Sequence, residues 1–124
     1  MAASSAGLHE PEDRLPNEVI DDHRAIVSIM EELEAIDWYR QRSEAATDPE
    51  LAAILVHNRD EEKEHAAMTL EWLRRRDTML DQHLRTYLFT SGSILEREAE
   101  AEAADTDSAP NATGSLGIGD LRGA

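Results

Sequence analysis

The sequence predicts an all-α protein: an antiparallel hairpin of two long helices and a short third helix, completed as a four-helix bundle when two chains pair. Three observations carry that expectation. Apolar residues recur at spacings of three and four over two long stretches, the signature of helices with one apolar face. The link between those stretches, about Ala45 to Asp48, is too short for anything but an antiparallel return. All five aromatic residues (Trp38, Tyr39, Trp72, Tyr87 and Phe89) lie in the middle of a 124-residue chain, so a lone chain has little to bury. Association is the usual remedy for so thin a core.

The elements follow in order. Residues 1–16 are small and polar with Pro11 and Pro16, and are expected to be flexible. Residues 17–95 form the helical unit. Asn17 to about Glu44 carries Ile26, Ile29, Met30, Leu33 and Ile36 as one apolar stripe. Thr47-Asp48-Pro49-Glu50 starts the second helix, either with Thr47 as cap and Glu50 reaching back, or with Asp48 as cap and Pro49 at the first helical position. That helix runs to the basic cluster Arg74-Arg75-Arg76, which suits a helix C-terminus. A third helix is expected from about Thr78 to Thr90, before Ser91-Gly92-Ser93 breaks it. Residues 96–113, alternating Glu with Ala and then turning small and polar, read as an acidic flexible linker with room for transient helix at its start. At its end, residues 114–124 carry Leu116, Ile118 and Leu121, an apolar motif that reads as a docking peptide; the alternative is an end without a role.

Charge and composition exclude several functions. With 27 Asp and Glu against 12 Lys and Arg, the net charge of −15 argues against nucleic acid and anionic membrane as partners. The absence of cysteine removes disulfides, thiolate metal sites and cysteine nucleophiles. No apolar run approaches a membrane span, and residues 1–5 lack a secretory pattern, so the expected location is the cytoplasm.

The sharpest chemical signal is in the second helix. Its seam runs Leu51, Leu55, Asn58, Glu62, His65, Thr69, Trp72, with a carboxylate and an imidazole in mid-seam. Glu62 and His65 form Glu-x-x-His, one turn apart on one face. A carboxylate buried there needs a partner, and a metal ion such as iron suits both donor types. In the first helix Glu32 sits one turn from Ile29 and from Ile36 on the apolar side, with Tyr39 one turn further on, placed to hold a ligating carboxylate by hydrogen bond. The bland alternatives are a chance match on a Glu-rich helix and a solvated acidic face. Of five histidines, however, only His65 has an acidic residue three positions earlier. Di-iron bundles use one Glu from each of two helices and Glu-x-x-His from each of two others, so one chain supplies half a ligand set. A two-fold axis would supply the rest.

The segments Met30–Tyr39, His57–Met68, Thr69–Arg75 and Leu84–Phe89 resemble the encapsulated ferritins, and Gly114-Ser-Leu-Gly-Ile-Gly-Asp-Leu-Arg resembles the peptide that loads cargo into encapsulin shells. Asp120 departs from that peptide pattern, where Ser is frequent; the difference bears on docking strength. The resemblance implies a half-ferritin that pairs into a di-iron ferroxidase dimer, with five dimers closing into a ring of ten chains inside an encapsulin nanocompartment. Carried over, Glu32, Glu62 and His65 are iron ligands and Tyr39 lies just behind them. Glu31 and Glu34, beside Trp38, resemble the family's site of metal uptake, open to calcium or other divalent ions. His57, Glu61 and Glu64 share a neighbouring face, spaced for a weak exposed site or for plain solvation. The competing function is an iron-buffering helical bundle without turnover; a third is an acidic interaction module.

Overall fold

The computed structural model describes residues 6–108. They form four α-helices, α1 (Asn17–Ala45), α2 (Pro49–Arg76), α3 (Thr78–Tyr87) and α4 (Ile94–Ser108), with no strand among the described residues. The chain divides into two compact units, the first ending at Leu73 and the second beginning at Arg74.

The first unit is the hairpin. Pro16 ends the preceding extended backbone, and its carbonyl accepts from the Val19 and Ile20 amides at 3.0 and 3.2 Å as α1 begins. After Ala45 the chain turns in three residues. Of the two possible starts for α2 the Asp48 cap is the one formed: Asp48 Oδ2 accepts from the Leu51 amide at 2.9 Å, with Pro49 at the first helical position. Residues 6–16, expected to be flexible, carry a 3-10 turn at Glu12–Arg14, and His23 Nε2 bonds to the Ala6 carbonyl at 2.8 Å.

In the second unit α3 stops at Tyr87, three residues before the expected Thr90. Phe89 adopts φ 63° and Gly92 φ 85°, left-handed positions that no helix accommodates. The larger difference is α4, which occupies most of the stretch expected to be a flexible linker. Ser93 Oγ accepts from the Glu96 amide at 3.1 Å, so Ser93-Ile-Leu-Glu96 is a capped helix start. Alanine and glutamate are both strong helix formers, and Arg97 pairs with Glu100 at 3.1 Å one turn on. The lack of apolar residues removes the need to pack, not the propensity to coil. The apolar peptide at 114–124 lies outside the described residues.

No described side chain of the single chain is buried. Ile26, Met30 and Leu33 of the expected α1 stripe are exposed, as are Leu51 and Trp72 of the α2 seam and Ile54 and Met68 of α2. A two-helix hairpin covers these side chains only in part, and they remain as apolar surface.

Candidate metal centre

The centre is built by equal spacing from the turn. Glu32 lies thirteen residues before the last residue of α1, and Glu62 thirteen after the first of α2. At ~1.5 Å per residue both sit at the same height of an antiparallel pair. His65 follows one turn later, with its Nδ1 3.5 Å from Glu62 Oε1. One donor atom each from Glu32, Glu62 and His65 lies within 4.8 Å of the others, and all three residues are half-buried. Thr69 Oγ1 donates to the His65 carbonyl at 3.1 Å, anchoring that turn.

Glu32 Oε1 is shut off from solvent and meets no hydrogen-bond donor. Its carboxyl is pushed above the usual carboxylate range, first by burial, then by the negative charge of Glu62, against the opposing influence of His65. Two carboxylates and an imidazole that crowd together with an orphaned oxygen make poor neighbours without a cation. The donor set fits a divalent metal of the iron type: oxygen and nitrogen ligands, no sulfur.

Among the described residues no other group of three His, Asp or Glu side chains converges in this way. Tyr39 is half-buried, seven residues and about two turns beyond Glu32 on the same side of α1. Glu31, Glu34 and Trp38 are exposed on α1, and His57, Glu61 and Glu64 are exposed on α2. The latter trio is not gathered into a cluster within one chain. A side chain that the motifs do not single out, Arg42, places its guanidinium carbon 5.7 Å from the Tyr39 ring centre and 5.9 Å from that of Trp38. The available signal was an Arg three and four positions after two adjacent aromatics.

The model of the EncFtn-like family matches residues 7–91, the stretch that holds the hairpin, the trio and α3. The chain belongs to the encapsulated ferritin family. Over 130 aligned residues it is 62% identical to the encapsulated ferritin-like protein of Rhodospirillum rubrum, covering 99% of this chain and 93% of the relative. It is 33% identical to the encapsulin nanocompartment cargo protein EncB of Myxococcus xanthus, over 71% of this chain and 56% of that protein. Among solved structures it is similar to protein ne0167 from Nitrosomonas europaea, with 59% identity, a TM-score of 0.70, and coverage of 71% of this chain and 97% of that one. The expected half-ferritin fold is thus the fold of this encapsulated ferritin. No helix among its described residues is long and apolar enough to cross a membrane.

Proposed function

We propose that this encapsulated ferritin is a ferroxidase, taking Fe(II) as substrate at a di-iron centre shared between two chains and passing its electrons to dioxygen. The observation that carries this reading is the trio Glu32, Glu62 and His65 around an orphaned, desolvated carboxylate oxygen. Glu32 and Glu62 neutralise incoming Fe(II), and carboxylate oxygens stabilise the harder Fe(III) product. His65 supplies the nitrogen donor, and Tyr39 orients a ligating carboxylate. One chain offers half the ligand set of a di-iron bundle, so a second chain across a two-fold axis completes it. The exposed apolar residues of the hairpin support such pairing. On family resemblance we extend the proposed pair to a ring of five dimers.

Glu31 and Glu34, with Trp38, gather divalent ions, calcium or iron, on the way in; His57, Glu61 and Glu64 form a weaker outer site. A ring of short chains encloses little volume, so mineral is stored by an encapsulin shell in the cytoplasm, reached through residues 114–124. The relative named as encapsulin cargo supports that partner.

Aerobic Fe(II) oxidation tests the chemistry. His65→Ala removes the imidazole from both halves of the centre and should lower turnover more than about tenfold, with helix content by circular dichroism unchanged. Glu18→Ala, at the far end of α1, should be near neutral. An iron-buffering bundle would instead bind Fe(II) under nitrogen and consume no oxygen when air is admitted.

A further inference from the structure

We propose that Arg42 is a positioning residue that clamps Tyr39 and Trp38 together and so fixes the direction of the Tyr39 phenol on the side of α1 that carries Glu32. Side chains on a helix lean toward its N-terminus, so Arg42 covers the turn that carries residues 38 and 39. Its guanidinium carbon lies 5.7 Å from one ring centre and 5.9 Å from the other, within cation–π reach of both. Adjacent residues on a helix diverge by about 100°, and one cation bridging both rings therefore restricts two side chains that would otherwise turn independently. Trp38 is 46% exposed and gains little restraint from packing. Tyr39 is half-buried on the side of α1 that carries Glu32, where the direction of its hydroxyl matters to any carboxylate ligand. An acidic chain of net charge −15 would ordinarily spend an arginine at this position on a carboxylate; this one is turned onto two aromatic faces. Lysine could replace the charge and part of the attraction, though not the planar stacking.

The catalytic half of the proposal rests on the ferroxidase reading above; the restraint of the two rings does not. A full-length Trp72→Phe protein leaves Trp38 as the sole tryptophan and serves as the reference. In metal-free protein, Arg42→Ala should lower the fluorescence anisotropy of Trp38 and raise its quenching by acrylamide, with Arg42→Lys between the two. In aerobic Fe(II) oxidation, Arg42→Ala should lower kcat about tenfold, since a small misplacement near the reacting atoms is enough, while KM and anaerobic Fe(II) stoichiometry stay within about twofold. Arg42→Lys should recover part of kcat. Unchanged Trp38 anisotropy in Arg42→Ala would overturn the clamp. Lowered anisotropy with unchanged kcat, or a loss confined to KM, would overturn its positioning role. A reference protein that binds Fe(II) without oxidising it would overturn the ferroxidase reading and the catalytic half of the proposal together, leaving the anisotropy to decide the clamp alone.

Discussion

At the scale of single residues the centre is defined by one carboxylate in an awkward place. Glu32 is half-buried, keeps an oxygen without a donor, and faces Glu62. Its carboxyl is raised above the ordinary value in the fold, so the metal-free fold holds that proton more tightly than the unfolded chain does. Its contribution to stability is therefore present below the unfolded carboxylate value and disappears as pH rises through the raised one. Metal competes for the same site, so affinity should fall as pH drops through that raised value. Glu32→Gln should then raise the melting temperature of metal-free protein near neutral pH and abolish most Fe(II) oxidation. Melting curves at pH 5 and pH 7.5 check the first half: the gain should shrink at the lower pH. An equal gain at both would assign it to something other than ionisation.

At the scale of elements, the corner after α2 is held by charge. Asp77 caps α3 through the Leu80 amide at 2.9 Å, and Asp81 receives Arg74 from α2 and Arg85 from α3 itself. Hydrogen bonds from Arg85 and Arg74 hold the Asp81 carboxyl below the ordinary carboxylate range. The group is solvent-facing, so its influence is local. It is present above the ordinary carboxylate value and is lost as pH falls through the lower folded value. Asp81→Asn should raise amide exchange in α3 while leaving α1 and the metal-free melting temperature nearly unchanged; hydrogen exchange read helix by helix would show it. The first three helices were legible because an apolar period is bounded by Pro16 before α1, by Asp48-Pro49 before α2 and by Ser91-Gly92-Ser93 after α3; the Asp77 cap of α3 is added by the structure. The fourth was not, because an apolar period was required of a segment with almost nothing apolar to bury. Ser93-x-x-Glu96, a capping signal, stood at its start all along. The centre was legible for the same kind of reason: Glu62 and His65 share one helix face, and a three-residue turn sets Glu32 opposite them. Arg42 was not, since a basic residue on a solvated face carries no pattern until its aromatic neighbours are seen to lie beneath it.

At the scale of the whole molecule, a hairpin without a buried side chain among the described residues, holding one trio of possible metal donors, is the basis for the proposed pairing. The tail is assigned a separate task. Its three aliphatic side chains would contribute roughly 1.5–3 kcal/mol each on burial, before ordering costs, so one tail should bind weakly and several tails on one assembly should bind well. A chain ending at Asn111 should keep Fe(II) oxidation and fail to co-purify inside encapsulin shells; full loading of shells would end that assignment. The central claim, that iron sits between two chains, is tested most directly by native mass spectrometry under nitrogen. In the proposed pair the carboxylates of two metal-free chains would face and repel one another, and Fe(II) bound across them should tighten the pair by mass action. The predicted spectrum shows two irons on each pair of chains, iron-free monomers, and a shift from monomer to paired forms as Fe(II) is added. Iron on monomers at the same ratio per chain, or an oligomer distribution that ignores iron, would contradict it.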